Sequence, residues 1–489
     1  MLRAIEDMRW MKLGEALKVS KIEDIVKSIS VDELYGLEWG YTKKIEIKGK
    51  IRKSLIEEVS RVKNEPGWML RLRLKALKLF EKLPMPKWVV GIDEIDLDEL
   101  TTYVKPDVEI TSSWDDLPDN IKKAYEKIGI PELEARFLSG LSAVYGSETI
   151  YMNMKKKIEE MGVVILPMEE AVKKYPSILK KYFSRIFPPS DHKFSALHLA
   201  LWSGGTFVYV PPNVKVPQPI EAFFFIGGSL EGQFEHTLIV ADEDSYVHFI
   251  EGCSAPLLKK YSFHNGMVEL YAKKNSHIKF TTLQNWSKDI INFNNKRGIA
   301  ESGSLIEWTE GSIGSKITYT YPSTVLRGED SRTNSVVISV TNGPYLKDTG
   351  SKVIHAAPYT RSKILSKSIS NAGGLNVYRG LIKINKGAYN SFAHVECDSL
   401  ILDDDSRAYT YPHNQVEEPS AIVSHEAKTG RLSEQQLFYM GSRGLTEGEA
   451  KSLIVIGMLK EILHDLPLEY VSVLYKVIQL EFSELGGIG

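Results

Sequence analysis

Two cysteines stand alone in a chain of 489 residues. Cys253 lies in Glu251-Gly252-Cys253-Ser254-Ala255-Pro256, and Cys397 in His394-Val395-Glu396-Cys397-Asp398-Ser399. A chain of this size buries enough apolar surface to fold without either, so each is packing filler or a reactive thiol. A free cysteine on a strand is commonly a small buried hydrophobe. The polar company argues for more. His425-Glu426 follows Cys397 by about one turn and one strand. A carboxylate near a thiolate is a poor structural pair, since both are anions. It is a sensible pair for iron, which accepts hard oxygen and soft sulfur alike. Consecutive strand residues face opposite ways, so only one of His425 and Glu426 can share a face with a given neighbour. No CxxC or HxxxH spacing occurs, so a closed structural zinc site is not expected. A metal centre built here draws few ligands from this chain and is open and labile, or shared between subunits.

Gln284-Asn285-Trp286 closes an alternating run that starts at Lys279, and Lys296-Arg297 follows a turn. If Lys296 faces the interior it needs an anionic partner, because an unpaired buried ammonium is costly. A thiolate or persulfide would serve and be stabilised in return. On the surface Lys296 is only a solvated charge. Asp403-Asp404-Asp405 could suggest calcium, but three consecutive side chains cannot all aim at one ion, and a solvated turn is the expectation. No GxxxxGK[ST] occurs, so the chain carries no phosphate-binding loop of that kind.

The elements that must hold these residues are mainly strands. Cys397 shares strand parity with Ala393, Val395 and Ile401, and Cys253 with Val247 and Phe249. Both thiols are therefore expected to point inward. From about Thr206 the period-two pattern persists for more than two hundred residues, through short strands such as Ser335–Val340 and Leu381–Ile384. Repeated small-residue openings, as in Ser351-Lys352-Val353-Ile354 and Ser362-Lys363-Ile364-Leu365, favour a solenoid over a sandwich or barrel. Ahead of it the first 150 residues read mostly as helix. Leu70, Leu72, Leu74, Leu77 and Phe80 recur near helical spacing until Pro84 and Pro86, and residues 154–185 form a further helical group. A helix start is expected after Asp119-Asn120. Beyond Thr429 helices return, with capping-box spacing at Ser433/Gln436 and Thr446/Glu449 and a last helix near 468–482.

Net charge is −2 with a pI near 6.6, so nothing basic points to nucleic acid. No apolar run reaches the ~18 residues of a membrane span, and no signal-peptide pattern opens the chain. The expectation is a cytoplasmic protein with free thiols.

These segments together resemble the SufB/SufD family of the SUF iron–sulfur cluster assembly system, from about Lys63 to the C-terminus. The likeness is carried by Lys63-Asn64-Glu65-Pro66-Gly67-Trp68-Met69-Leu70, Ser113-Trp114-Asp115-Asp116, Lys127-Ile128-Gly129-Ile130-Pro131 and Gly205-Thr206-Phe207-Val208-Tyr209-Val210-Pro211. It continues in Asp242–Val247, Glu251–Pro256, Gln284-Asn285-Trp286, Tyr378-Arg379-Gly380, Cys397-Asp398-Ser399-Leu400, Gln435–Tyr439 and Leu466-Pro467-Leu468-Glu469. Ser424 stands where the family often carries an acid, and Phe223-Phe224-Phe225 replaces a more polar segment, which bears on the polarity of the interior. The resemblance implies an α+β chain, with a right-handed parallel β-helix core between N-terminal and C-terminal helical domains: 1–150, 151–428 and 429–489. It implies a scaffold rather than an enzyme, which takes persulfide sulfur at Cys253 and passes it inward along Gln284, Trp286 and Lys296. A transient iron–sulfur cluster then forms at Cys397, with Glu426 as second ligand and His425 left to reach a subunit seam. Whether a flavin binds is left open. Implied partners are a SufC-type ABC ATPase at the C-terminal helices, SufD or a second SufB copy, a sulfur donor and apo-protein acceptors. Cys397 favours the SufB branch over a SufD-like partner without a cluster. A carbohydrate-active β-helix enzyme is the remaining alternative, and it would need clustered carboxylates that this chain does not display.

Overall fold

Alternating apolar and polar residues make strands with one face to bury, and here those faces close on each other. The computed structural model describes residues 43–92, 95–117, 140–255 and 258–459, together with Ile478 and Phe482. At its centre is a parallel β-solenoid of about eight turns, with helices before and after it. One wall is a 10-stranded sheet. It runs from the hairpin Gly140–Tyr145/Glu148–Met154 through Ile220–Phe225, Tyr246–Ser254, His277–Trp286, Leu305–Gly314, Arg332–Asn342, Arg361–Asn371 and Phe392–Ile401 to Ile422–Arg431. The facing wall is a 12-stranded sheet that includes Ser262–Ala272, Ile290–Ala300 and Leu375–Ile384. Each coil repeats the hydrogen-bonding of the last, so residues in register form files parallel to the solenoid axis, about 4.8 Å apart.

Corners repeat too. Asp244, Asn275, Gly303, Asp330, Tyr359 and Asn390 all adopt left-handed φ, between 55° and 66°. The amide of each of the first five donates to a carbonyl in the next coil. Asn, Asp and Gly tolerate this conformation well, which explains the punctuation between strands. Asp403 forms a turn of the same polar kind, accepting from the amides of Ala372, Asp405 and Ser406.

The strands begin earlier than the alternation from Thr206. Lys43–Lys48 pairs antiparallel with Thr101–Pro106, and Gly140–Met154 extends the first wall. These runs are too short for their period to stand out. Helix Gly67–Lys82 forms as its spacing predicts and ends before Pro84. Both C-terminal capping boxes are made, opening helices Glu434–Gly441 and Glu447–Met458. The expected helix start after Asn120 and the motifs at 127–131 and 466–469 lie outside the described residues. Of the expected last helix, only Ile478 and Phe482 are described, both buried against the first wall's outer face near Ile313 and Val340.

A buried charge joins the N-terminal helices to the solenoid. Arg73, fully buried, donates to both Glu65 carboxylate oxygens at 2.8 and 2.6 Å and to the Ala200 and Trp202 carbonyls. Its guanidinium lies 4.8 Å from the centre of the Trp202 ring. Lys63 sits between Glu148 at 3.2 Å and Glu169 at 3.8 Å. The Lys63–Trp68 motif is thus largely a clasp. Removing one member of such a pair strands the other. Arg73→Met is expected to cost about 3–5 kcal/mol, read as a lower urea midpoint, and adding Glu65→Met should recover most of the loss.

Candidate functional site

The thiols are each 2 % exposed and unpaired in any disulfide. Inward parity holds for both. On strand Tyr246–Ser254 the file Val247, Phe249, Glu251, Cys253 faces the facing wall, while Ile250 packs outward. In register with Cys253 stand Phe224 on one side and Gln284 on the other. Phe224 is therefore the one aromatic of the Phe223–Phe225 run that enters the interior beside Cys253. Phe223 and Phe225 turn to the outer face with Leu141 and Tyr145. Past Cys253 its own register turns polar, starting with Gln284 and Ser312.

Lys296 does face inward, from the second wall, but its partners are carboxylates. Its ammonium lies 3.3 Å from Glu251 and 3.2 Å from Glu310, and 5.3 Å from the centre of the Phe280 ring. Burial works against its charge, and the two carboxylates more than offset that, raising its pKa. His264 is held likewise. Burial opposes its charge, but Glu235 at 3.0 Å and Asn292 at 2.8 Å favour the imidazolium. Gln284 accepts through Oε1 from Asn292 and from Asn294 at 3.0 Å, while its Nε2 finds no partner among the described residues. The Trp286 ring sits 4.7 Å from His264, centre to centre, with its buried N–H also unpartnered among the described residues. Burial, then Glu251 and Glu235, push the Cys253 thiol well above its usual range, and Lys296 opposes them.

From Cys253 a file of hydroxyls runs down the first wall. The register continues Gln284, Ser312, Ser339, Ser368, Ser399 and Thr429. Ser368 donates to Ser399 at 2.9 Å. The adjacent file is Glu251, Thr282, Glu310, Val337, Ser366 and Cys397. The two cysteines thus occupy neighbouring files on one inner face. Their rows are five strand spacings apart, about 24 Å, far beyond disulfide reach.

At the far end Cys397 meets His425, Sγ to Nε2, at 3.6 Å. Val395 pairs with His425, and Cys397 with Ala427, so His425 has inward parity. Glu426 does not. It is in register with Glu396 on the opposite face, is well exposed, and lies 3.7 Å from Lys428. The expected order of companions is therefore reversed: within the chain the imidazole reaches the sulfur and the carboxylate points away. Burial pushes the Cys397 thiol up to about 12, with the Tyr378 hydroxyl opposing and Asp398 and Glu396 adding to the rise. Burial and then His394 lower the His425 pKa. Burial thus works against the charged form of both groups. Among the described residues no group of three or more His, Cys, Asp and Glu could hold a metal ion, and no helix is long and apolar enough to cross a membrane.

The fold is a parallel β-solenoid with two interior thiols, and a polar file runs from the first to Ser399, two residues along the strand from the second. Residues 224–458 match the family model described as the SUF system FeS cluster assembly, SufBD core domain, and residues 55–222 match the SufBD protein N-terminal region. An iron–sulfur cluster assembly SufBD family protein of Staphylococcus aureus (strain MRSA252) is 43% identical over 439 residues, covering 90% of this chain and 94% of its own length. A protein of the same description from Staphylococcus epidermidis is 42% identical with the same coverage. The chain belongs to the SufBD family and is an iron–sulfur cluster assembly protein of the SUF system.

Sequence reasoning missed Glu251 and Glu310 as partners of Lys296, Asn292 and Asn294 as partners of Gln284, and the His264–Glu235 pair. Glu251 carried a signal, as a carboxylate at inward parity between Phe249 and Cys253. The serine file carried none, because its successive members are 27 to 31 residues apart with no fixed interval.

Both thiols keep their protons in the folded chain where an unfolded chain loses them. Stability therefore falls as pH rises from 9 towards about 12 for Cys397, and Cys397→Ala should flatten that slope in denaturation measured across the range. At pH 8 the native protein is expected to react with an aromatic disulfide reagent about tenfold or more slower than free cysteine, and to yield both thiols after unfolding.

Proposed function

We propose that this chain is the cluster-bearing, SufB-type member of its family. The observation that supports the reading most directly is the polar file in register with Cys253, which runs through Gln284, Ser312, Ser339 and Ser368 to Ser399, beside the strand position of Cys397. Sulfur arrives as a donor persulfide: the Cys253 thiolate attacks the outer sulfur, the donor leaves as thiolate, and Cys253 carries the persulfide. Lys296 is the nearby cation available to that anion, with Glu251 and Glu310 competing for it. Thiols about 24 Å apart cannot exchange a sulfur atom directly. The travelling species is then hydrosulfide, released as Cys–S–S⁻ + 2e⁻ + H⁺ → Cys–S⁻ + HS⁻, with the electrons from a reductant outside the chain. Gln284 Nε2 and the Ser312–Ser399 hydroxyls supply hydrogen-bond donors along its route.

Iron and sulfide are cargo, met by Cys397 and His425. Two ligands from one chain hold iron weakly, so further ligands come from the partner chain or the substrate, and the product can leave. Glu426 serves, if at all, at the outer surface, where it faces a partner rather than Cys397. The C-terminal helices expose Phe438 and Tyr439, a face suited to a SufC-type ABC ATPase. SufD or a second copy completes the complex, apo-proteins accept the cluster, and the setting is cytoplasmic.

Anaerobic reconstitution with iron and sulfide tests this in the complex with ATPase and partner chain. Cys397→Ser and His425→Ala should each lose most of the visible chromophore, and Glu426→Ala much less. Cys253→Ala should abolish persulfide trapped from a sulfur donor. Ser368→Val should leave that persulfide intact while cutting sulfide delivery to Cys397 severalfold. An unchanged chromophore in Cys397→Ser would overturn Cys397 as the ligand, and no chromophore on the unmutated chain would leave the structural-partner reading, without a cluster, in its place.

A further inference from the structure

Ahead of the solenoid lies a cavity that the sulfur path does not use. It has a volume of about 250 Å³ and sits between helix Gly67–Lys82 and helix Pro176–Tyr182 with the turn that follows it. Its lining combines two chemistries. Leu72, Leu179 and Phe183 supply apolar surface, while Arg71, Lys75, Lys180 and Arg185 bring four positive charges to its rim. None of these four cations has a carboxylate partner among the described residues. Glu65 is committed to Arg73, Glu170 to Lys174 and Asp191 to Arg297. Like charges gathered round one concavity repel one another, and helix stability does not account for them. Arg71 and Lys75 form a like-charged i,i+4 pair, which disfavours a helix. The first turn of their helix holds no acid. Arg71 folds back over that turn, since a Cβ on Gly67 would lie 3.5 Å from its Nη1. A guanidinium over the positive end of its own helix is a further cost. An anion in the cavity offsets both costs.

The far wall is fixed before any ligand arrives. Ser184, at the cavity lip, has a left-handed φ of 55°, a strained conformation for a residue other than glycine. The solenoid pins the turn in place: Glu269, fully buried, accepts from the amides of Ser184, Ile186 and Phe187. Phe183 stacks on the His236 ring, 4.0 Å between centres. Arg185 donates twice to the Lys180 carbonyl, at 3.1 and 2.8 Å, and the Lys180 ammonium lies 5.7 Å from the centre of the Trp68 ring. Strain held by surrounding structure is characteristic of ligand clamps, and a preformed wall lowers the ordering cost of binding.

We propose that this cavity binds a small organic phosphate, a phosphate group carried on a compact apolar body. Arginine and lysine side chains hold the phosphate oxygens, and the leucines and Phe183 take the body. The volume is that of about eight water molecules in the liquid, which suits one such molecule and is too small for a folded segment of a partner. Calorimetric titration of the full chain at low salt tests this, with phenyl phosphate as the probe and orthophosphate and hexaglutamate as comparisons. Phenyl phosphate should bind one to one and more tightly than orthophosphate. Arg71→Gln and Lys180→Gln should each weaken it about tenfold or more, the weight of one charged hydrogen bond. Lys78→Gln and Lys82→Gln remove the same charge from exposed positions of the same helix outside the cavity, and should leave binding unchanged. Absence of binding, orthophosphate held as tightly as phenyl phosphate, or equal losses in Lys78→Gln and Arg71→Gln would each overturn the inference. Hexaglutamate bound more tightly than phenyl phosphate through Arg71 and Lys180 would also overturn it, and would make the cavity a docking point for an acidic peptide.

Discussion

In-register stacking is the constraint on which the rest of this molecule depends. A parallel solenoid repeats its strands about 4.8 Å apart, so a side chain on an inner face has the same-file residue of the next coil as its neighbour. Placing a polar residue there commits the adjoining coils to satisfying it. The interior answers that demand locally. Lys296 is held between Glu251 and Glu310, His264 between Glu235 and Asn292, and Gln284 by Asn292 and Asn294. Charges taken out of water are tolerable only in such pairs. Gln284 Nε2 and the Trp286 N–H, without partners among the described residues, lie in the same region as Cys253.

The two thiols sit in different surroundings for that reason. Cys253 lies towards the N-terminal end of the solenoid, where burial and then Glu251 and Glu235 raise its pKa. Cys397 lies in the next-to-last strand of its wall, with the His425 imidazole 3.6 Å from its sulfur. Beyond it the final strand, Ile422–Arg431, is largely exposed.

Much of this was legible residue by residue. Parity alone turned Val247, Phe249 and Cys253 inward, and likewise Ala393, Val395 and Cys397, because alternation is a local property of a strand. Parity also established that His425 and Glu426 face opposite ways. It did not choose between them, since that needs the register of Ile422–Arg431 against Phe392–Ile401. The interior partner of Lys296 was open to the same ambiguity: an anion was required, but the two carboxylates come from strands 45 residues before it and 14 after it.

The sequence by itself determined the long run of strands, the helices on either side, the capping boxes at Ser433 and Thr446 and the inward turn of both thiols. Each follows from residues within a few positions of one another. Tertiary structure alone decided which residues share a file, because coils of 27 to 31 residues bury their differences in corner loops while the hydrogen bonds of the walls restore the register. That register joins Cys253 to Ser399 and sets His425 rather than Glu426 against Cys397.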